Sequence, residues 1–263
     1  MDINDVSSPI AHYKAILAYD GTNFAGFQRQ ANARTVQGEV ETALRQFGWT
    51  QSSILAAGRT DTGVHASGQV IAFELAWERS LDVLLKALNA HLPVDIAVRQ
   101  VEVAQADFHP RYDALSRRYR YTLFCAPSRN PLRERYAWRV WPQVDFNLLA
   151  QASIPLVGTH DFRAFGTPPR PGGKTTRTVF VSEWKREAAT PSLGSDFVFE
   201  IEANAFLFHM VRRIVRLQVA VAQGKLPVES IPFYLTGEHP DPVKGLAPPH
   251  GLNLIAVRYP DPE

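Results

Sequence analysis

The order of strand-like and helix-like segments in the first hundred residues constrains the fold of this chain more than any other feature of its sequence. Short apolar or alternating segments bounded by turn residues indicate strands, and apolar residues three or four positions apart indicate helices. Thr35 is placed to cap the first helix and Gly48 to end it. The predicted strands cover residues 12–21, 52–58, 66–75 and 95–104, and the predicted helices cover residues 35–48 and 81–93.

This β-α-β-β-α-β order is that of the split β-α-β, or ferredoxin-like, unit, in which helices cover one face of an antiparallel sheet. The open face of such a sheet is a common surface for binding RNA. The second half loosely repeats the order, with strands predicted over residues 116–124, 177–187, 195–206 and 251–260 and helices over residues 145–158 and 206–224. We therefore expect an α+β fold with two ferredoxin-like halves, divided into subdomains of residues 1–107 and 108–263.

Composition sets limits on where such a protein works. No apolar run approaches the roughly 20 residues that a membrane span needs. The N-terminal sequence lacks the basic and apolar segments of a secretory signal. The single cysteine, Cys125, excludes an internal disulfide and a cysteine-based zinc site. These features favour a cytoplasmic protein without a membrane partner.

The distribution of charge says more than its sum. The formal net charge is only +2, but arginines cluster over residues 109–121, 130–139 and 209–216. Arginine donates two parallel hydrogen bonds to phosphate and stacks on flat rings, so these clusters are compatible with nucleic-acid binding. Three solvated faces of a near-neutral protein remain the alternative explanation.

One loop contains candidate catalytic residues. The segment AAGRTDTGVHASGQVIAF, residues 56–73, places Asp61 at the end of an apolar strand, two residues after Arg59. Gly58 and Gly63 permit tight turns of the main chain. On these residues alone, two interpretations stay open: Asp61 caps the turn through nearby main-chain N–H groups, or it is a reactive carboxylate beside a guanidinium.

The same segment resembles the catalytic motif of the TruA family of tRNA pseudouridine synthases, a Gly-Arg-Thr-Asp core followed by Gly-Val-His and Gly-Gln-Val. Further segments resemble other motifs of that family in the same order: YDGTNFAGFQRQ (19–30), TVQGEVETAL (35–44), FHPRYDALSRRYRY (108–121), NAFLFHMVRRIVR (204–216) and GLAPPHGL (245–252). The resemblance thus spans most of the chain. It departs from the family at Asn253, where an aromatic residue is frequent, and in the Pro- and Gly-rich loop 166–176.

The resemblance implies the pseudouridine synthase fold, in which two RRM-like halves with a mostly antiparallel sheet flank a central cleft. It implies conversion of uridine to its C-glycoside isomer at positions 38, 39 and 40 in the anticodon stem-loop of tRNA. Because no electrons or phosphate groups are exchanged, no cofactor and no metal are expected, and the sequence shows no dinucleotide fingerprint or P-loop. The family acts as a homodimer that grips one tRNA, and we expect the same here.

The resemblance also assigns catalytic roles. Asp61 is expected to react at the target nucleoside; whether it bonds to the sugar, bonds to the base or removes a sugar proton stays open. Tyr119 is expected to stack on the uracil, although on the residues alone a core aromatic is the commoner role. Arg212 is expected to pair with Asp61, the alternative being an exposed face of an amphipathic helix. Arg59 is expected to enter the space left by the flipped base, or to contact phosphate.

RNA binding is expected from basic side chains in several motifs, namely Arg29, Arg111, Arg117, Arg118, Arg170, Lys174, His209 and Arg216. Contacts to phosphates would make the affinity fall steeply with salt. Two further functions stay open at this level: a non-catalytic RNA-binding protein or RNA chaperone, and a hydrolase that cleaves glycosides or nucleosides through Asp61. A hydrolase usually needs a second carboxylate to activate water, and no obvious one flanks this motif.

Overall fold

The structure is a computed structural model that describes residues 10–188, 195–237 and 241–260. The N-terminal segment in which no secretory signal was expected therefore lies mostly outside the described residues. The chain divides into two compact units, one of residues 1–114 with 259–263 and one of residues 115–258. The subdomain boundary at residue 107 stays a prediction.

The first unit has the predicted order of elements. They are β1 (Ile10–Tyr19), α1 (Val36–Arg45), β2 (Leu55–Ala56), β3 (His65–Ala76), α2 (Leu81–His91) and β4 (Ile96–Val103). In the sheet, β1 lies between β4 and β3, and β2 pairs with β3. Each of these three pairings is antiparallel. The ferredoxin-like arrangement predicted for the first half is confirmed.

Local sequence explains these elements. The Thr35 side chain accepts a hydrogen bond from the Gly38 N–H, which caps α1 as predicted. After the helix, Gly48 has φ of +81°, a conformation that favours glycine. Burial alternates along β1, as in a strand with one buried face. The buried side chains are those of Tyr13, Ala15, Leu17 and Tyr19.

Strand β2 is shorter than the predicted strand over residues 52–58. Only Leu55 and Ala56 pair with β3. The Ser52 carbonyl accepts a hydrogen bond from Arg29 at 3.1 Å, and the Ile54 N–H donates to Glu41 at 3.2 Å. Because these main-chain groups are bonded to side chains, the ladder does not extend to them.

The second unit contains β5 (Ser116–Cys125), β6 (Trp138–Val140), α3 (Phe146–Ser153), β7 (Gly158–Asp161), β8 (Thr176–Ala188), β9 (Ser195–Ala203), α4 (Met210–Ala222), α5 (Ser230–Leu235) and β10 (Leu252–Arg258). Its sheet has the order β10-β5-β9-β8-β7, and β6 is added parallel to β5. If β6 and β7 are set aside, β5, β8, β9 and β10 repeat the order of β1, β2, β3 and β4. The loose repeat predicted for the second half is therefore present in the topology.

The two faces of the second sheet differ in chemistry. On one face Trp184 stacks on Phe199 at 5.1 Å and donates a hydrogen bond to Gln218 of α4 at 3.1 Å. This is the face that the helices cover, and Tyr121 is fully buried on it. The opposite face, called the charged face below, carries Arg118, Arg120, Glu183, Lys185, Glu187, Glu200, Glu202 and Arg258.

Candidate active site

The loop that carries the predicted catalytic aspartate, residues 58–64, is anchored to strand β3. We call it the aspartate loop. Just before it, the Ala57 N–H donates to the Val70 carbonyl at 2.9 Å. The Gly58 carbonyl accepts a hydrogen bond from Gln69, a fully buried side chain, at 2.8 Å. The start of the loop is therefore held by the strand that follows it.

Asp61 begins a tight turn that main-chain groups close. The Val64 N–H donates to the Asp61 carbonyl at 3.1 Å, and Gly63 has φ of +76°, which favours glycine at this position. The Gly63 N–H donates to the Phe24 carbonyl at 3.4 Å. Main-chain carbonyls thus accept hydrogen bonds from the Gly63 and Val64 N–H groups, and the Asp61 side chain is half-buried.

The segment Tyr19–Phe27, part of the first motif of the chain, supports the aspartate loop from a second side. The Phe27 N–H donates to the Thr60 carbonyl at 3.0 Å. At Gly21 the main chain passes so close to Val64 that an added Cβ would lie 2.0 Å from the Val64 carbonyl oxygen. Only glycine allows this approach, so the motif has a direct physical role in placing the loop.

His65 follows the aspartate loop directly and lies in the core. Its Nδ1 accepts a hydrogen bond from the Gly21 N–H at 3.0 Å, and Asp20 lies 3.2 Å from the same nitrogen. The ring is 6% exposed, which indicates a scaffold residue rather than a group that touches a substrate. Arg59, by contrast, is exposed, as a residue that contacts RNA must be.

In the second unit, Tyr119 lies on the helix-covered face of β5. Its ring is half-buried and packs edge to face against Phe206, with 5.0 Å between ring centroids. Phe206 belongs to the segment that leads into α4, the helix that carries Arg212. Tyr119 is therefore packed against the motif that contains the predicted arginine.

Arg212 lies in the first turn of α4 and is half-buried. Its Nε donates to the Ala247 carbonyl at 2.8 Å, and the Ala247 N–H donates to the Arg212 carbonyl at 3.1 Å. The next residue, Pro248, accepts a hydrogen bond from the buried Tyr121 hydroxyl at 2.8 Å. The closing motif GLAPPHGL thus holds the arginine. Asp61 and Arg212 belong to different units, and their pairing stays a prediction.

Comparison with known proteins gives a consistent result. A family model described as tRNA pseudouridine synthase matches residues 15–113 and 152–260. Proteins named tRNA pseudouridine synthase A from Chloroflexus aurantiacus and Lacticaseibacillus casei are 40% and 36% identical to this chain over 246 and 251 residues. These alignments cover 93% and 95% of this chain, and 87% and 100% of the two relatives. A Geobacter protein of the same name is 36% identical over 94% of this chain and 98% of its own length.

The chain belongs to the tRNA pseudouridine synthase family. It is accordingly an isomerase that acts on uridine in tRNA. The resemblance drawn from the motifs is confirmed, and so is the α+β fold with mostly antiparallel strands and flanking helices.

The structure places the family's expected RNA-binding residues in two kinds of environment. Some are engaged in ion pairs or hydrogen bonds within their own unit. Arg29 pairs with the buried Glu41 at 2.5 Å, and Arg117 donates to the Asn204 carbonyl at 3.0 Å. Arg118 lies on the charged face, where it pairs with Glu200.

The other expected RNA-binding residues differ in their exposure. Arg111, Arg170, Lys174 and Arg216 are exposed. Arg216 lies 6.0 Å from the ring centre of Trp138, and Lys174 accepts a hydrogen bond from Arg177 through its carbonyl. His209 is half-buried, has φ of +67° and stacks on Phe208 at 3.6 Å. An RNA role for each stays a prediction.

Several residues that support the candidate site were given no role from the sequence. Tyr19, Gln69 and Ala247 were assigned no role, although each contacts the aspartate loop or Arg212. Glu41 is fully buried on α1 and binds Arg29, Gln37 and the Ile54 N–H. The motifs at 19–30, 35–44 and 245–252 pointed to these regions, but the partners are distant in sequence.

In the described part of the chain, no three His, Cys, Asp or Glu side chains are grouped as metal ligands. Nor does any helix among the described residues combine the length and hydrophobicity that a membrane span requires.

Proposed function

We propose that this enzyme converts uridine to pseudouridine at positions 38, 39 and 40 in the anticodon stem-loop of tRNA. The observation that carries the proposal is the aspartate loop with its GRTD sequence, which is supported on two sides and carries a half-buried Asp61. Relatives named tRNA pseudouridine synthase A that align over nearly their whole length support the isomerisation of uridine in tRNA.

The reaction moves a base without exchanging atoms with another molecule. The C1′–N1 bond breaks, the uracil rotates, and a C1′–C5 bond forms; C5 loses a proton and N1 gains one. Asp61 is the reacting carboxylate, since an anion near an anomeric carbon stabilises the positive charge that develops there. Tyr119 stacks on the uracil, and its phenol assists removal of the proton from C5.

The two arginines act at different points of the reaction. Arg212 pairs with Asp61, which keeps the carboxylate ionised and directed toward the substrate. Arg59 enters the space that the target base leaves when it flips out of the stack, a step that costs a few kcal/mol. The exposure of Arg59 and the half-buried setting of Arg212 support this division of roles.

Binding of tRNA uses basic side chains outside the reacting groups. The exposed Arg111, Arg170, Lys174 and Arg216 are the best placed to contact phosphates. Arg29, which is exposed as well, and Arg117, Arg118 and His209 take part in ion pairs, hydrogen bonds or ring contacts within their own unit, and we expect a smaller contribution from them. The enzyme acts in the cytoplasm as a homodimer that grips one tRNA, and its mass in sedimentation equilibrium tests the dimer.

Transcribed tRNAs test the positions directly. Full-length enzyme is incubated, without added cofactor or metal, with tRNAs that carry uridine at only one of positions 38, 39 and 40 and with a matched tRNA that has cytidine at all three. We expect pseudouridine at each of the three positions and none in the matched control. Pseudouridine elsewhere contradicts the positions, release of uracil indicates a hydrolase, and tight binding without product indicates an RNA-binding protein.

A further inference from the structure

The residue directly before Asp61, Thr60, carries one of a pair of buried hydroxyl groups. The Tyr19 hydroxyl, at the end of β1, shares a hydrogen bond of 2.8 Å with the Thr60 hydroxyl in the aspartate loop. Tyr19 is 4% exposed and Thr60 is 7% exposed. Neither hydroxyl can readily exchange its partner for bulk water, so each depends on the other.

Gln69 completes this cluster. Its side chain is fully buried and donates to the Gly58 carbonyl at 2.8 Å. Gln69 therefore ties the first residue of the aspartate loop to β3, while Tyr19 ties the third residue to β1. The three side chains come from β1, the loop and β3, so the loop is tied to two adjacent strands.

The chemistry of Tyr19 restricts what it can do. Burial raises the pKa of Tyr19 to about 12, although the hydrogen bond with Thr60 acts in the opposite direction. The phenol is therefore neutral at physiological pH and does not act as a base. Its buried position also keeps it from stacking on a nucleobase. What remains is a fixed hydrogen-bonding group.

We propose that Tyr19 is a positioning residue for the isomerisation: its hydroxyl holds Thr60 and thereby sets the direction from which the next residue, Asp61, meets the substrate. This rests on the proposed function, in which Asp61 is the reacting carboxylate. Small displacements of a reacting group reduce rates strongly, whereas binding of the large tRNA surface does not depend on one side chain.

The first test is the substitution Tyr19→Phe, which removes one oxygen atom and keeps the ring. We expect the single-turnover rate of pseudouridine formation to fall by roughly ten- to a hundredfold. The Kd for tRNA should stay within about twofold of the wild-type value, because the lost interaction acts only on the reaction. A loss of folding stability with an unchanged rate would indicate a purely structural role and contradict the proposal.

The matched control is Tyr13→Phe. Tyr13 lies on the same strand and is equally buried, at 4% exposed, but its ring stacks on Phe73 at 5.6 Å, away from the aspartate loop. We expect this variant to react at the wild-type rate. A similar loss of rate in both variants would show that any hydroxyl removed from β1 has the same effect, which contradicts a specific role of Tyr19.

Variants of Thr60 test the hydrogen bond from its other end. Thr60→Val should lose about as much rate as Tyr19→Phe, and the double variant should be no slower than either single one, because both remove the same interaction. Thr60→Ser keeps the hydroxyl and should recover most of the rate. Losses that multiply in the double variant, or a Thr60→Ser variant as slow as Thr60→Val, overturn the proposal.

Asp61→Asn, measured alongside, separates this inference from the proposed function. An active Asp61→Asn variant removes the role of Asp61, and the inference fails with it. If the Asp61→Asn variant is inactive and the separate Tyr19→Phe variant is fully active, the proposed function stands and only the inference is refuted.

Discussion

At the scale of single residues, the aspartate loop is placed by close contacts more than by its own sequence. Gly21 lies against the main chain of Val64, where a Cβ would be 2.0 Å from the carbonyl oxygen. Gly58, inside the loop, faces open space, with no heavy atom within 4 Å of an added Cβ. Gly21 is therefore required for a close approach, whereas Gly58 has neither a close neighbour nor a left-handed main chain, so the turn predicted there occurs at Gly63 instead.

This difference gives a matched pair of substitutions. Gly21→Ala should lower the free energy of unfolding by about 1–3 kcal/mol, because the new methyl group forces the two main-chain segments apart. Gly58→Ala should change it by less than about 0.5 kcal/mol. Urea unfolding of both variants measures the difference. Equal effects of the two substitutions would contradict the close approach at Gly21.

At the scale of elements, the charged face of the second sheet combines buried carboxylates with arginines from the neighbouring strand. Glu200 is 5% exposed; one of its oxygens lies 2.6 Å from Arg120, and the other pairs with Arg118. Burial by itself raises the pKa of Glu200, but the hydrogen bond from Arg120 and the charge of Arg118 outweigh it, so the pKa lies below its ordinary value.

The lowered pKa predicts how stability depends on pH. A carboxyl group with a lower pKa in the folded state stabilises the fold above its unfolded pKa of about 4.3. That contribution is lost as the pH falls through the folded-state value. Urea unfolding should therefore show a steep loss of stability for the wild type below about pH 5 and a shallower one for Glu200→Gln.

The same variant should be less stable at neutral pH. Glu200→Gln removes the carboxylate that two arginines share, but both are partly exposed and keep Glu183, Glu202 or Glu187 as partners, so we expect a loss of about 1–3 kcal/mol. Glu187→Gln is the control, since the Glu187 side chain is 45% exposed and pairs with Arg120 at 3.4 Å. The control substitution should lower the free energy of unfolding by less than about 1 kcal/mol. Parallel pH profiles for the wild type and Glu200→Gln would refute the account of this face.

Periodicity predicted the elements but not their partners. The alternation of Tyr119, Tyr121 and Leu123 correctly indicated a strand, and it also places Arg118 on the opposite face. Glu200 and Glu202 lie opposite the arginines because of the register between two strands that are more than 80 residues apart in sequence. Local patterns carry no information on such a register, so the basic cluster could be interpreted only as a surface for RNA or as a solvated face.

The candidate site shows the same limit. The role of Asp61 is predicted from its motif, and the roles of Tyr119 and Arg212 are predictions that the resemblance supplies. The supporting contact between Tyr19 and Thr60 joins residues 41 positions apart, and it exists only because β1 and β3 pair in one register. Tertiary packing, not sequence pattern, brings such residues together.

At the scale of the whole molecule, a protein with a net charge of only +2 must bind the polyanion tRNA through local basic patches. The loop from Gly166 to Thr176 offers one such patch, with Arg170 and Lys174 both exposed. Arg118 carries the same charge, but carboxylates on the charged face neutralise it. Exposure and pairing, rather than the number of arginines, should decide which residues meet phosphate.

Salt dependence measures this distinction. The logarithm of the tRNA affinity should fall linearly with the logarithm of the salt concentration, and loss of one phosphate contact should reduce the slope by about 1. We expect such a reduction for Arg170→Ala and for Lys174→Ala, and none for Arg118→Ala. A reduced slope for Arg118→Ala alone would show that the charged face, not the loop, binds tRNA.

The central claim is that Asp61 performs the reaction, and one substitution tests it most directly. Asp61→Asn keeps the shape of the side chain and removes its charge, and Asp82→Asn, an exposed carboxylate at the start of α2, is the control. With tRNA as substrate, the single-turnover rate of pseudouridine formation should fall by more than roughly a thousandfold for Asp61→Asn, with tRNA affinity nearly unchanged, and stay at the wild-type value for Asp82→Asn. An Asp61→Asn enzyme that keeps even about a tenth of the wild-type rate would contradict the account.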